Sequence, residues 1–337
     1  MSGPLDAVPA AYRDALRASG PPRTVTPMLA VLTDGPFSDP DWIYERKLDG
    51  ERVIAARDGD DVRITSRTGH DLRATYPELV DALAEQTAHD LVVDGEVVAF
   101  EHGRASFARL QRRFGLSDPD EARASGIAVY LYLFDILHVA GYDTRALPNR
   151  VRKPVLRRAL TWQDPLRYTS HRVGDGDAYF AHACAHGWEG LIAKRADAPY
   201  AARRSRDWLK VKCVNEQEVV IGGFTDPEGS RTGFGALMVG YYDDGHLRYA
   251  GKVGTGYDRR TLAGLRERLD GLERDTPPFA GTVRERGAHW VRPELVAEVA
   301  FTEWTDDGKL RHPRYLGLRR DKDPKDVRRE RAEKGRS

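Results

Sequence analysis

The sequence is poor in cysteine and in long apolar runs, and each shortage excludes a class of protein. Two cysteines among 337 residues, Cys184 and Cys213, form no disulfide framework, and so low a count is typical of a reducing compartment. No apolar stretch approaches the length that crosses a bilayer, and residues 1–20 lack a signal-peptide pattern. We therefore expect a cytoplasmic protein.

Excess charge of one sign is also missing. The formal net charge is +1, from 53 Lys and Arg against 52 Asp and Glu, which does not by itself indicate a nucleic-acid partner. The basic residues are clustered, and such clusters either bind a phosphate backbone locally or form ordinary solvated faces. The clusters lie at residues 104–113, 145–158, 195–212 and 311–329.

The length allows two domains, each with its own core. Strands and helices alternate irregularly in the first part, which favours an α+β domain with antiparallel sheets. Several short strand-like runs with one amphipathic helix follow, and they fit an oligonucleotide/oligosaccharide-binding (OB) β-barrel. The predicted divisions are an N-terminal extension at 1–26, the α+β domain at 27–213, the barrel at 214–323 and a frayed charged tail at 324–337.

Hydrophobic periodicity and turn signals set the individual elements. In the first part, strands are predicted at 42–47, 52–57, 61–66, 90–99, 127–137, 190–194 and 207–213. Helices are predicted at 8–16, 76–86, 106–114, 147–160 and 176–187. In the barrel, strands are predicted at 219–224, 236–242, 247–253 and 295–301, with a helix at 258–269.

Lys47 lies where the predicted strand at 42–47 meets an Asp49-Gly50 turn, with Arg52 close behind. An amine that is held among cations has a lowered pKa and can act as a nucleophile. Taken alone, however, the same pattern fits a charged hairpin on the protein surface, because short motifs match by chance.

Six further motifs accompany the Lys47 motif along the chain. They are Ser66-Arg67-Thr68-Gly69, Val93-Asp94-Gly95-Glu96, Leu133-Phe134-Asp135, Glu189-Gly190-Leu191-Ile192-Ala193-Lys194, Trp208-Leu209-Lys210-Val211-Lys212 and Arg319-Arg320-Asp321-Lys322. Together they resemble the nucleotidyltransferase motifs of ATP-dependent DNA ligases, most nearly the ligase module of the bacterial end-joining ligase D group. The resemblance covers about residues 27–323. It implies an adenylation domain followed by an OB barrel.

The activity that the resemblance implies is the sealing of 5′-phosphate/3′-hydroxyl nicks in duplex DNA. Lys47 would be the nucleophile that carries AMP as a phosphoramidate. Lys210 and Lys212 would contact the AMP phosphate and, with a divalent metal, lower the pKa of Lys47. Lys194 would complete the phosphate site. Without the resemblance, the pattern would favour an amphipathic edge strand on which Lys210 and Lys212 are solvated.

The metal ligands implied by the resemblance are carboxylates at strand ends. Glu189 would bind Mg²⁺, for which Mn²⁺ can substitute, and Glu96 would contact the ribose and also serve the metal. Each would otherwise be an ordinary turn carboxylate.

The nucleoside contacts implied by the resemblance come from both halves of the first domain. Phe134 would stack on adenine, although an aromatic residue in such a strand is usually part of the core. Glu45 would contact adenine and Arg52 the ribose, while Arg67 would contact the 5′-phosphate of the nick.

The Arg319–Lys322 motif in the predicted barrel implies, by the resemblance, a movement of that domain. Arg319 and Lys322 would cover the pyrophosphate when the barrel closes on the nucleotide, before the barrel reopens and clamps DNA. Without the resemblance, this motif would be a simple charge run.

Other classes of protein remain as alternatives. An RNA ligase or a capping guanylyltransferase shares the lysine motif, but the barrel motif favours a DNA ligase. A non-catalytic binding protein would have lost at least one key lysine or glutamate. His182 and His186 lie four residues apart but lack further zinc ligands at suitable spacing.

We expect a monomer associated with the nucleoid, with nicked duplex DNA as its substrate and without a membrane. The resemblance to end-joining ligases implies the Ku end-binding protein, and a separately encoded polymerase and nuclease, as partners.

Overall fold

The computed structural model describes residues 3–227, 229 and 232–330. The chain divides into two compact units, of which the first runs to Cys213 and the second begins at Val214. Among the described residues, no helix combines the length and the apolar character needed to cross a membrane.

The helices are short and the strands numerous. In the described residues the α-helices are α1 Pro77–Ala84, α2 Phe107–Leu110, α3 Pro119–Ala124, α4 Asn149–Ala159, α5 Gly176–Ala185 and α6 Arg259–Asp270. The strands of the first unit are β1 Arg17–Ala18, β2 Leu29–Leu32, β3 Trp42–Lys47, β4 Glu51–Asp58, β5 Asp61–Ser66, β6 Asp90–Glu101, β7 Arg104–Ala105, β8 Val129–Val139, β9 Tyr142–Asp143, β10 Leu166–Tyr168, β11 His171–Val173, β12 Gly190–Arg195 and β13 Arg204–Lys212. Those of the second unit are β14 Asn215–Thr225, β15 Leu237–Asp243, β16 His246–Val253, β17 Glu273–Arg274, β18 Ala288–Phe301, β19 Glu303–Trp304, β20 Leu310–Arg311 and β21 Arg314–Arg319. The 3₁₀ helices are Pro4–Ala7, Ala10–Ala15, Gln111–Arg113 and Pro324–Asp326.

Sheet one of the first unit has the order β1-β9-β8-β6-β4-β5, with β10 beside β8 and β7 beside β6. Only β10 pairs in parallel. One face presents aliphatic residues such as Val53, Val93 and Leu131, which pack against Leu79 of α1 and Val155 of α4. Alternation along the strands therefore leaves the other face available for the second sheet.

Sheet two has the order β11-β3-β12-β13-β2 and is antiparallel except between β13 and β2. On one face, Trp42 and Leu191 pack with helix α5. The opposite face, here called the inner face, turns towards sheet one. Trp208 of β13 is buried there with Ile54 and Phe134 of sheet one, and the Phe134 and Trp208 ring centroids are 6.1 Å apart.

The second unit is built on a sheet of order β16-β15-β14-β18-β17, with β21 beside β18. Asp258 caps the N-terminus of helix α6, because its side chain accepts a hydrogen bond from the Thr261 N–H at 2.7 Å. Its spacing puts Leu262, Leu265 and Leu269 on one face, and all three join the core of this unit. The predicted fold class, an α+β domain followed by an OB barrel, is confirmed.

The N-terminal extension departs from its predicted single helix at 8–16. Two 3₁₀ helices, Pro4–Ala7 and Ala10–Ala15, replace it. Val8 between them is 1% exposed and belongs to the core of sheet one, and β1 pairs with β9. The extension therefore packs as part of the first unit.

The prediction of a frayed charged tail at 324–337 is wrong for residues 324–330. Val327 has no exposed surface, and its carbonyl oxygen accepts a hydrogen bond from the Tyr242 N–H at 2.8 Å. One apolar residue within the charge run therefore anchors this segment on the second unit. Residues 331–337 lie outside the described residues.

Two of the basic clusters are partly interior, so neither the phosphate-binding nor the solvated interpretation holds throughout. Arg113 is 1% exposed and donates to the Glu78 carboxylate at 2.8 Å. Arg152 is fully buried and donates to Asp135 at 2.7 Å. Each guanidinium can be buried because it has a carboxylate partner.

Cys184 and Cys213 form a disulfide, with Cα atoms 5.3 Å apart, which corrects the expectation from cysteine count alone. Cys184 belongs to α5 and Cys213 directly follows β13, and the packing of α5 against sheet two brings them together.

Candidate active site

Three neighbouring strands of sheet two bring predicted site residues into rows. Residues directly opposite each other in antiparallel strands share a face, and faces alternate along each strand. Read across β3, β12 and β13, the rows of the inner face are Lys47-Gly190-Lys212, Glu45-Ile192-Lys210 and Ile43-Lys194-Trp208. Five of the predicted site residues therefore lie on one face of one sheet.

The first row centres on an amine held by a carboxylate. The Lys47 ammonium donates a hydrogen bond to Oε1 of Glu189, the residue just before β12. Gly190 has φ of +151°, and a Cβ there would lie 1.9 Å from the carbonyl oxygen of Val211. Only glycine fits this position, so no side chain separates Lys47 from Lys212 in their row.

The turn after Lys47 packs closely on β6 of sheet one. A Cβ on Gly50 would lie 2.1 Å from the Val97 carbonyl oxygen and 3.0 Å from Cγ of Glu96. The missing side chain therefore lets the turn approach the half-buried Glu96. Carboxylates at such a site, Glu96 and Glu189, are the oxygen donors that Mg²⁺ prefers, so the residues present fit this metal.

Sheet one contributes an ion pair whose carboxylate is fully buried. Nε and one terminal nitrogen of Arg52 each donate to an oxygen of Asp94 at 2.7 Å, and the Tyr200 hydroxyl donates to Asp94 at 2.6 Å. The guanidinium carbon lies 4.9 Å from the Phe134 ring centroid and 5.4 Å from that of Trp208. Burial alone would lower the pKa of Arg52, but Asp94 raises it above its ordinary value, so the guanidinium stays charged.

Glu45 forms a second buried network. Its side chain is 2% exposed, with Lys153 of α4 on Oε1 and Lys194 on Oε2 at 2.8 Å. The Lys194 ammonium also lies 4.3 Å from the Phe134 ring centroid and 4.0 Å from that of Trp208. Burial alone would raise the pKa of the Glu45 carboxyl, but the two ammonium charges lower it below its ordinary value. Burial lowers the pKa of Lys194 to about 8.

Lys194 was predicted for the phosphate site, together with Lys210 and Lys212. Its ammonium is bound to Glu45 and lies in the third row, two rows along the strands from Lys47. Its phosphate role therefore stays a prediction.

The remaining predicted residues lie elsewhere. Arg67 is half-buried in the turn after β5. Arg319 ends β21 and donates to Glu298 and Asp321 at 2.9 Å each, while Lys322 pairs with Glu218. The partners named here for Arg319 and Lys322 all belong to the second unit.

Two residues of this site, Asp94 and Lys153, were not predicted. Asp94 stands in the Val93–Glu96 motif, and the buried partner that Arg52 requires could have been sought there. Lys153 was hidden in the basic cluster at 145–158, whose members look alike in sequence.

Comparison with known families defines the class of protein. Residues 27–212 match the family described as ATP dependent DNA ligase domain, and residues 230–322 match the ATP dependent DNA ligase C terminal region. The chain belongs to the ATP-dependent DNA ligase family. The resemblance stated from the motifs is confirmed.

Individual relatives are similar over most of this chain. The multifunctional non-homologous end joining protein LigD of Pseudomonas aeruginosa is 39% identical over 91% of this chain and 36% of its own length. LigD of Mycobacterium tuberculosis is 40% identical over 91% of this chain and 40% of its own. The chain thus spans about two fifths of these relatives' length. A solved structure, mycobacterial DNA ligase D complexed with ATP and MES, matches with a TM-score of 0.66 and 36% identity, over 91% of this chain and 98% of that one.

Proposed function

We propose that this chain seals 5′-phosphate/3′-hydroxyl nicks in duplex DNA through a covalent lysyl-AMP intermediate, with ATP as the nucleotide. The observation that carries this proposal is the Lys47 amine, held by Glu189 on a face that also presents Lys210 and Lys212. Membership of the ligase family and the similarity to a ligase D structure with bound ATP support it.

In the first step, deprotonated Nζ of Lys47 attacks the α-phosphorus of ATP. A P–N bond forms, and the P–O bond to pyrophosphate breaks. Glu189 orients the amine, while Lys210 and Lys212 offset the charge that develops on the phosphate oxygens.

Two phosphoryl transfers then complete the reaction. An oxygen of the 5′-phosphate at the nick attacks the phosphorus of lysyl-AMP, the P–N bond breaks, and Lys47 regains a proton. The 3′-hydroxyl next attacks the activated 5′-phosphate and gives its proton to solvent. The new phosphodiester bond forms, the P–O bond to AMP breaks, and AMP leaves. Arg67 contacts the 5′-phosphate in this proposal.

Glu189 and Glu96 are the residues that would hold Mg²⁺ or Mn²⁺. When bound, the metal supplies positive charge that offsets the phosphate oxygens.

The nucleoside lies between the two sheets. Phe134 stacks on adenine, the Glu45 carboxylate accepts from the 6-amino group, and Arg52, fixed by Asp94, contacts the ribose. The ion pair between Lys194 and Glu45 favours a place for Lys194 at the base rather than at the phosphate.

The barrel takes part in the first step through Arg319 and Lys322, which cover the pyrophosphate. It then reorients to hold DNA. Both cations carry carboxylate partners that would exchange for phosphate oxygens during closure.

The pathway we propose is double-strand break repair by end joining, in the nucleoid, with the chain acting as a monomer. The printed names of the LigD relatives support this pathway. Ku, a polymerase and a nuclease of end joining would be the partners. End joining that proceeds equally well in cells without Ku would argue against this part.

The test uses ATP labelled at the α-phosphate, Mg²⁺ and a 5′-phosphorylated nicked duplex, with products resolved on a denaturing gel. We expect label on the protein and a sealed strand, and loss of both in Lys47→Ala. Lys309→Ala, at an exposed lysine of the second unit paired with Asp307, is the control and should label normally.

The other outcomes of this labelling experiment would each favour a different class of protein. Label without sealing of DNA, but with sealing of an RNA nick, would replace the proposal with an RNA ligase. Preference for GTP would favour a guanylyltransferase. No label, on protein shown by mass spectrometry to carry no AMP already, would leave a binding protein.

A further inference from the structure

Lysine is unusually scarce in the first unit. Residues 3–213 contain 25 arginines but only five lysines. Four of them, Lys47, Lys194, Lys210 and Lys212, belong to the proposed site. The fifth, Lys153, comes from α4, where its neighbours on the chain include several arginines.

The Lys153 side chain is 2% exposed, and its ammonium has three oxygen partners. It pairs with Oε1 of Glu45 on β3, donates to the Phe134 carbonyl oxygen on β8 at 3.0 Å, and donates to the Thr169 carbonyl oxygen at 3.4 Å. An ammonium has three N–H donors, as many as the oxygen atoms that surround it here. One small cation thus joins sheet two to sheet one at the two residues proposed to hold adenine.

The shorter, three-donor ammonium suits this position better than a guanidinium would. Arg152, the preceding residue, shows the alternative, since its planar group takes both oxygens of Asp135 in a fork. Lys153 instead meets one carboxylate oxygen and two carbonyl oxygens from three chain segments, a tripod that a planar fork does not match.

The charge of Lys153 acts directly on Glu45. Burial opposes ionisation of this carboxyl, and Lys153 is the stronger of the two cations that overcome it. A carboxylate offers about four acceptor positions, so two ammonium partners still leave room for a ligand donor. An ionised Glu45 can accept a hydrogen bond but cannot donate one.

We propose that Lys153 is a positioning residue that selects the nucleobase, by holding Glu45 as an oriented acceptor for purines with a 6-amino group. This inference rests on the proposed function. A 6-oxo purine such as hypoxanthine presents a carbonyl oxygen where adenine presents N–H donors, so it meets the carboxylate with like partial charge. Without Lys153, the carboxyl is easier to protonate and to rotate, and it can then donate to a 6-oxo group.

The experiment compares α-labelled ATP with α-labelled ITP in forming the lysyl-nucleotide adduct, under single-turnover conditions without DNA. The ratio of the two second-order rate constants is the readout. We expect the ATP preference to fall at least about tenfold in Lys153→Met, as for loss of a hydrogen bond involving a charged group. Arg157→Met removes a cation from the exposed side of the same helix and should keep the wild-type ratio.

A role for Lys153 in folding alone would slow both nucleotides equally and leave the ratio unchanged, which would overturn the inference. If Lys153→Met does not fold, Glu45→Gln carries the test, since its amide can donate to a 6-oxo group and should also lose the preference. A wild-type ratio in Glu45→Gln would equally overturn it. Where both variants fold, Lys153→Met should not change the ratio further in the Glu45→Gln background. Failure of the wild-type protein to label with ATP would instead count against the proposed function.

Discussion

Gly190→Ala should damage the candidate site through the backbone, without removing any functional group. The added Cβ would lie 1.9 Å from the Val211 carbonyl oxygen, whereas Cβ contacts below 3.0 Å are essentially never seen. Strands β12 and β13 must therefore separate by about 1 Å, which breaks ladder hydrogen bonds worth about 1 kcal/mol each. The φ of +151° adds strain of about 1–3 kcal/mol for a residue with a side chain.

Together these terms predict a loss of about 3 kcal/mol in the free energy of unfolding, together with slower adduct formation, because Lys212 moves relative to Lys47. Urea unfolding followed by tryptophan fluorescence reports mainly on the first unit, which holds four of the six tryptophans. Gly35→Ala is the matched control, since a Cβ there meets nothing within 4 Å. If Gly190→Ala unfolds like the control and labels at the wild-type rate, the reasoning about the strand gap is wrong.

Two further predictions concern the burial of Val327 in the C-terminal segment and the lowered pKa of Lys194. Val327→Asp should lower the free energy of unfolding by about 3 kcal/mol in urea titration, because it buries a charge at a site without exposed surface, whereas Lys325→Asp at an exposed neighbouring position should change it by under about 0.5 kcal/mol. Equal unfolding free energies for the two variants would instead support the prediction that this segment is frayed. For Lys194, burial lowers the folded-state pKa to about 8, below the ordinary 10.5 of the unfolded chain, so the unfolded chain binds the extra proton between these values and stability rises with pH there. The unfolding free energy of the wild type minus that of Lys194→Gln should therefore increase from pH 7.5 to pH 9.5, and a decrease would contradict the assigned direction.

Local patterns predicted the strands that carry the site. Strands β3 and β5 begin and end where alternation and turns put them, at 42–47 and 61–66. Strand β21, Arg314–Arg319, was missed because its Tyr315 and Leu318 are enclosed by basic residues that indicate a charge run. In place of the α-helix predicted at 8–16, a 3₁₀ helix begins at Ala10 after Pro9, and Val8 before it is buried in the core.

Site residues could be predicted where a chemically reactive residue type stands within a recognisable motif. Lys47 and Glu189 are 142 positions apart, and only the resemblance to a family connected them before the fold did. Lys153 belongs to no such motif, because its role depends on the position of α4, which brings its ammonium to the Glu45 carboxylate on sheet two. The disulfide has the same origin, since packing of α5 on sheet two brings together cysteines 29 positions apart.

Because lysine is scarce in the first unit, few of its side chains carry a primary amine, whereas many carry a guanidinium group. Amine-selective acylating reagents leave guanidinium groups untouched, so within residues 3–213 they can modify only the five lysines of the candidate site and its supporting network. Every acyl group found there by peptide mapping would report on the candidate site or on the network that supports it. Protection of individual lysines by nucleotide, or by DNA, would then follow the reaction cycle on native protein, with no engineered label.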